Sequence, residues 1–142
     1  MKRRDSLMRL RRFRVDDLQR RMATLDGMKA DLERKLADLE DNVARERRRA
    51  NDSDIGRLAF PSFLRSIDGR RENLRTTLGE LDRERGQTQG ELTDAFQDMK
   101  SLELAMELQV KRTAELEARR GQARMDEMAL VRHLRKHALR HA

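Results

Sequence analysis

The sequence has 142 residues, of which 42% are charged and 3% are aromatic, and its formal net charge is +7. It contains no cysteine, which excludes disulfide bonds and thiolate chemistry and fits a reducing compartment. The sequence lacks an apolar stretch near the roughly 20 residues of a membrane-spanning helix, and its Arg-rich start lacks the apolar segment of a secretory signal. Such a charged composition with helical periodicity is typical of coiled coils.

The first block of the chain, about residues 6–50, has apolar residues at the alternating three- and four-residue spacing of a coiled-coil seam. One row of the seam repeats leucine every seven residues, at Leu18, Leu25, Leu32 and Leu39. The companion row contains Met8, Val15, Met22, Leu36 and Val43. Polar residues interrupt the seam at Arg11, Lys29 and Glu46, where they lower stability and fix the register. The pattern predicts a first helix over about 6–50.

A break follows at about residues 51–60, because the run from Asn51 to Gly56 consists largely of turn and helix-cap residues. Pro61 then stands where the first turn of a helix accepts a proline. A second seven-residue repeat continues beyond it, with Ile67, Leu74 and Leu81 in one row. We therefore predict a second helix over about 61–139. Several glycines inside it each cost roughly 1 kcal/mol relative to alanine, among them Gly79, Gly86, Gly90 and Gly121.

The two helices are expected to pack against each other, because a short connection makes neighbouring helices antiparallel. Position i of the first helix should then lie near position 113 − i of the second. Residues beyond about 112 have no partner in this chain on that geometry. The sequence thus predicts a single all-α domain over 1–142, a long antiparallel two-helix coiled-coil hairpin whose second helix overhangs the first.

Basic residues are concentrated at both ends of the sequence. Residues 1–21 contain nine basic residues (Lys and Arg) and three acidic ones (Asp and Glu). Residues 119–142 contain seven basic residues and two acidic ones. An antiparallel hairpin brings both segments to the same end of the molecule, which we call the basic tip. Such a tip attracts an acidic protein surface, nucleic acid or anionic lipid.

Catalytic chemistry is not expected. A single hairpin has no pocket that could exclude water around reacting groups. The sequence also lacks a glycine-rich phosphate loop followed by lysine. His133, His137 and His141 share one helix face, but a carboxylate to complete a metal site is missing nearby. We predict no catalytic, cofactor or metal site, and we interpret these histidines as exposed helix-end residues.

Several segments together form a pattern that covers nearly the whole chain. They are Arg4-Asp5-Ser6-Leu7-x-Arg9-Leu10-x-x-Phe13-x-Val15-Asp16, Phe60-Pro61-Ser62-Phe63, Arg70-Arg71-x-Asn73-Leu74, Ala95-Phe96 with Lys100, Met125-Asp126-Glu127 and Arg132-His133. In this order and spacing the chain resembles FliJ, the flagellar export protein, in its alphaproteobacterial form. The opening segment and the aromatic-proline turn carry most of the resemblance, because coiled coils share their general composition.

The resemblance implies a soluble, non-enzymatic component or chaperone of the flagellar type III protein export apparatus, cytoplasmic and peripheral to the cytoplasmic face of the inner membrane. FliJ-like proteins are antiparallel two-helix coiled coils that resemble the central stalk of rotary ATPases. The implied partners are the flagellar export ATPase hexamer, the cytoplasmic domain of an export gate membrane protein, and export chaperones.

On this resemblance the basic tip would enter the ATPase ring. The residues expected to bind there are Arg3, Arg4, Arg9, Arg11, Arg12, Phe13, Arg119, Arg120, Arg124 and Arg132. Contacts with the gate or the chaperones are expected at Arg70, Arg71 and Asn73.

Two alternatives remain open from the sequence. The basic tip would also fit a coiled coil that binds nucleic acid, but the chain lacks Trp and Tyr for stacking and its middle is slightly acidic. We therefore expect no nucleic acid partner. The other alternative is a structural coiled coil that associates with itself through the overhang.

Overall fold

The computed structural model describes residues 2–141, and the side chains of residues 2–140. Two helices account for this part of the chain: α1, Lys2–Asp52, and α2, Asp54–His141. They have 51 and 88 residues, and the described residues contain no strand. The two helices pack against each other, which confirms the predicted all-α two-helix hairpin.

The connection between the helices is shorter than the predicted loop over 51–60. Ser53 alone separates α1 from α2 within the described residues. Its side-chain oxygen accepts a hydrogen bond from the Gly56 amide at 3.0 Å, and its carbonyl accepts one from the Arg57 amide at 3.1 Å. Ser53 is therefore an N-cap that starts α2 at Asp54 rather than near Pro61.

Pro61 consequently lies inside α2 instead of at its start. Proline has no amide hydrogen, so the helical hydrogen bond to the Arg57 carbonyl cannot form there. The prediction placed Pro61 in a first turn because that is where a missing donor has least effect. The Ser53 cap decides the start of the helix instead.

The described residues fall into two compact units, one ending at Gln97 and the other beginning at Asp98. The prediction of one domain over 1–142 stays a prediction. In the first unit, Leu18, Leu25 and Leu39 of the predicted leucine row are buried, and Leu32 is half-buried. From α2, Ile67 and Leu81 are buried with them. Leu39, Val43 and Ile67 form one core cluster, against which Phe63, Leu64 and Leu74 pack.

Ion pairs between the helices show that they run antiparallel in the first unit. Residue numbers fall along α1 as they rise along α2, from Glu40–Arg71 through Lys29–Asp82 to Arg14–Glu91. Asp26–Arg85 and Arg21–Glu84 lie between the last two of these pairs. The Lys29 ammonium, which interrupts the predicted seam, lies 3.0 Å from the Asp82 carboxylate. The seam therefore tolerates this lysine because its charge reaches a partner at the surface.

The second unit contains only α2 within the described residues. From Glu107 to Arg140 every residue is exposed except Gly121, which is half-buried. A helix that is exposed on all sides gains little stability from packing. This segment therefore presents its apolar side chains to solvent.

Candidate partner-binding surfaces

The start of α1 exposes two bulky apolar side chains on a basic surface. Leu10 is 63% exposed and Phe13 is 61% exposed, and their spacing of three residues places them side by side on the helix. Met8 and Val15 of the same helix are buried, so the seam lies on the other side. Exposed aromatic and aliphatic side chains beside each other are a common feature of partner-binding sites.

Arginines surround this apolar pair. Arg3 and Arg9 are exposed on the same side of α1 as this pair, at about 100° of rotation per residue, and together with Leu10 and Phe13 they form what we call the arginine-lined face. Arg12 is exposed as well, but it lies nine residues and therefore about half a turn of rotation away from Arg3. A guanidinium stays charged at any physiological pH. The face therefore combines a fixed positive charge with an apolar centre, which suits an acidic protein surface that contains an apolar patch.

The structure places the predicted residues of α1 in two environments. Arg4 is exposed like the members of the arginine-lined face, whereas Arg11 is half-buried. Leu10 was interleaved with the arginines in the sequence but was not among the predicted binding residues. Its spacing of three from Phe13 is the signal that would have included it.

The other predicted tip residues lie in the second unit. Arg119, Arg120, Arg124 and Arg132 are all exposed on α2. Arg132 also contributes to a shallow groove together with Met125, Met128, Ala129, His133 and Lys136. Because the α1 and α2 groups belong to different units, their expected union in one basic tip stays a prediction.

Arg71 has a structural role that the sequence did not reveal. Its guanidinium binds the Glu40 carboxylate of α1, with Nε 2.7 Å from Oε1 and Nη2 donating to Oε2 at 2.8 Å. Its Nη1 donates to Asp68 at 3.1 Å. The side chain is 19% exposed, so most of it is unavailable to a partner. Arg70 and Asn73, the other two predicted contacts, are exposed.

The helix connection presents a second apolar surface, which the sequence did not predict. Ile55 and Leu58 are each 82% exposed in the first turns of α2. Further along α2, the rings of Phe60 and Phe63 stack with centroids 6.4 Å apart, and the Arg47 guanidinium lies 5.8 Å from the centre of the Phe60 ring. Because this segment was predicted as a loop, the side on which these residues would point could not be assigned.

A metal cluster and a membrane-spanning helix are both absent from residues 2–141. Within 2–141 there is no group of three or more His, Cys, Asp and Glu side chains that could hold a metal ion. His141 belongs to the predicted histidine row, but its side chain lies outside the described residues. In the same part of the chain, neither helix contains a stretch apolar enough to cross a membrane.

Comparisons with known proteins place the chain in a family. A search of curated proteins finds no match, and a search of solved structures finds none either. The profile of the family described as flagellar FliJ protein matches residues 1–138, which is nearly the whole sequence. The chain therefore belongs to the FliJ family and is a flagellar export-related protein.

Proposed function

We propose that this chain is a non-catalytic part of the flagellar type III export apparatus that binds the export ATPase hexamer through the arginine-lined face of α1. The observation that carries the proposal is the exposure of Leu10 and Phe13 among arginines. Burying this surface would remove two large apolar side chains from water, and each contributes about 1.5–3 kcal/mol when fully buried. Membership of the FliJ family supplies the flagellar context.

The antiparallel pairing in the first unit supports a central-stalk-like mode of binding. The five ion pairs named above join residues 14–40 of α1 to residues 71–91 of α2, so these stretches are held together by charges as well as by the apolar seam. A helix pair that keeps its register can present one face to a ring of subunits. Arg119, Arg120, Arg124 and Arg132 of the second unit would add basic charge to the same partner.

The proposal also includes contacts beyond the ATPase. Arg70 and Asn73 are exposed on α2 and are the candidate contacts for the export gate protein or for export chaperones. Arg71 would act indirectly there, because its pair with Glu40 fixes the two helices beneath its neighbours. On this proposal the chain works at the cytoplasmic face of the inner membrane.

The first experiment measures the ATP hydrolysis rate and the hexamer content of the organism's flagellar export ATPase with and without this protein. Stimulation or ring stabilisation by the native chain, lost on Arg3→Glu/Arg9→Glu, supports the proposal. We expect the double reversal to weaken binding about tenfold or more, because each substitution removes one favourable charge and adds an unfavourable one.

The matched control is Arg48→Glu. Arg48 is exposed near the other end of α1, so the variant makes the same type of charge change far from the arginine-lined face. It should leave ATPase binding unchanged, and circular dichroism should show equal helix content in all variants. Equal effects of Arg48→Glu and Arg9→Glu would contradict a site on the arginine-lined face.

Nucleic acid binding is the second candidate function. Seven Lys and Arg among the first fourteen residues favour it. A binding constant for arbitrary DNA that falls steeply with salt, in the absence of any effect on the ATPase, would support this candidate.

A further inference from the structure

The exposed part of α2 carries an apolar face in the second unit. Residues with spacings of three, four and seven lie on one side of a helix. We call this side the Met125 face, and its members are Val110, Ala114, Ala118, Gly121, Met125 and Met128. All of them are exposed except the half-buried Gly121.

The Met125 face has small and large residues in separate halves. Ala114 and Ala118 precede Gly121, and Met125 and Met128 follow it. If two such helices are placed antiparallel with Gly121 opposite Gly121, Met128 of each copy lies opposite Ala114 of the other. Met125 then lies beside Ala118. Large side chains thus meet small ones, which is the arrangement that fills space between packed helices.

The charges favour the same orientation. Residues 98–117 carry five acidic and three basic side chains, whereas residues 118–141 carry two acidic and seven basic ones. Antiparallel pairing places the acidic half of one copy along the basic half of the other. Parallel pairing would place the two basic halves together, and like charges at such distances repel. Glu107 lies on the same side of α2, three residues before Val110, and in the antiparallel register it is opposite Arg135.

We propose that the Met125 face binds a second copy of this chain, forming an antiparallel homodimer centred on Gly121. The interface is isologous, so each contact occurs twice and the dimer is closed. Because its members are exposed in the single chain, the dimer forms reversibly and depends on concentration. This inference goes beyond the proposed function and does not rest on it.

The dimer has a consequence for other partners. Met125 and Met128 line the shallow groove that also includes Arg132. A second copy on the Met125 face covers this groove. Any partner that uses the same groove therefore competes with the second copy.

The first test measures the mass of the full chain in solution by sedimentation equilibrium over a range of concentrations. The mass should rise from 16.7 kDa towards twice that value. Met128→Glu should remain a monomer, because it places a charge in the interface. Leu130→Glu is the matched control, since Leu130 is 57% exposed against 61% for Met128 but lies on the opposite side of the helix.

The control should dimerise like the native chain. A native chain that stays monomeric at every concentration would overturn the proposal. The proposal would also be overturned if Leu130→Glu and Met128→Glu reduced dimer formation equally, because the Met125 face would then not be the interface.

The second test determines the orientation by cross-linking. The sequence has no cysteine, so a single introduced cysteine reports on one position. A side chain added at Gly121 meets no atom within 4 Å in the single chain, so Gly121→Cys is tolerated. In the antiparallel dimer the two copies of residue 121 meet and form a disulfide on oxidation.

Val110→Cys is the matched control on the same face. Residues 110 of the two copies lie about 33 Å apart along the antiparallel pair, at a rise of about 1.5 Å per residue, which no disulfide can bridge. The proposal is supported if the Gly121→Cys variant cross-links with itself and the Val110→Cys variant does not. Equal cross-linking at both positions indicates a parallel pair, and none at either position indicates no pair on this face; both results overturn it.

Discussion

Arg71 of α2 is joined to Glu40 of α1 by one hydrogen bond and one ion-pair contact: Nη2 donates to Oε2 at 2.8 Å, and Nε lies 2.7 Å from Oε1 without the alignment of a hydrogen bond. This two-point contact joins the helices beside the core cluster of Leu39, Val43 and Ile67. A hydrogen bond between a charged donor and a charged acceptor adds a preferred direction to the attraction between the two charges. Arg71 therefore contributes to the register of the hairpin.

The Arg71–Glu40 pair should show a measurable coupling energy. In a double-mutant cycle with Arg71→Met and Glu40→Gln, we expect a coupling of about 0.5–1 kcal/mol, because the Glu40 side chain is half exposed and solvent screens the pair. Urea unfolding provides the measurement. The Asp31–Arg34 pair within α1 is the control, since both side chains are well exposed and should couple by less. Equal coupling in the two pairs would contradict a special role for Arg71.

Gly56 should not tolerate a side chain. A methyl group there would lie 2.8 Å from the Ser53 hydroxyl oxygen, 3.0 Å from the Ala50 Cα and 3.1 Å from the Arg49 carbonyl oxygen. Two of these atoms belong to the backbone of α1, so they cannot move aside without shifting the end of that helix. We expect Gly56→Ala to lower the midpoint of thermal unfolding.

Gly27→Ala is the control for this prediction. Gly27 is exposed inside α1, and a methyl group there meets no atom within 4 Å. This substitution should stabilise the protein by about 0.5–1 kcal/mol, because alanine favours the helix. We therefore expect the two substitutions to change the stability of the protein in opposite directions. A stabilised Gly56→Ala would contradict the close approach at the helix connection, and a destabilised Gly27→Ala would contradict the open space around Gly27.

The Ser53 cap should contribute to the stability of the hairpin. Ser53→Ala removes the side-chain acceptor of the Gly56 amide and should lower the free energy of unfolding by about 1 kcal/mol. Ser101→Ala makes the same chemical change at an exposed position inside α2, where it should be neutral or slightly stabilising. Chemical denaturation of both variants checks this prediction. If both variants lost the same free energy of unfolding, the hydroxyl of Ser53 would have no capping role.

The apolar centre of the arginine-lined face should matter for binding and not for folding. Leu10→Ala/Phe13→Ala removes two exposed side chains, so the unfolding midpoint should change little. Binding to the export ATPase should weaken by more than about 1 kcal/mol, which corresponds to more than about fivefold in Kd. Titration calorimetry or fluorescence anisotropy measures this Kd.

Leu58→Ala is the matched control for that experiment. Leu58 is even more exposed than Leu10, but it lies at the helix connection. It should leave ATPase binding unchanged. If Leu58→Ala weakens binding and the α1 double variant does not, the ATPase contacts the helix connection and the assignment to α1 is wrong.

The sequence by itself determined the secondary structure and the seam of this protein. The leucine row at Leu18, Leu25 and Leu39 is buried as predicted, because helical periodicity is a local property that any stretch of sequence displays. The all-α hairpin followed from two such periodic blocks and one break between them. The concentration of arginine in the first turns of α1 was likewise visible without a structure.

Only the tertiary structure decided where α2 begins, which side chains pair between the helices and which remain exposed. The start of α2 depends on a hydrogen bond from Gly56 to Ser53, and turn-forming residues alone did not distinguish this cap from a longer loop. The pairing of Arg71 with Glu40 joins residues 31 positions apart in sequence. Which side chains are exposed, as at Leu10 and Ile55, and which carboxylate an arginine reaches both depend on the rotation and register of one helix against the other. Those are set by packing between distant segments and not by local sequence.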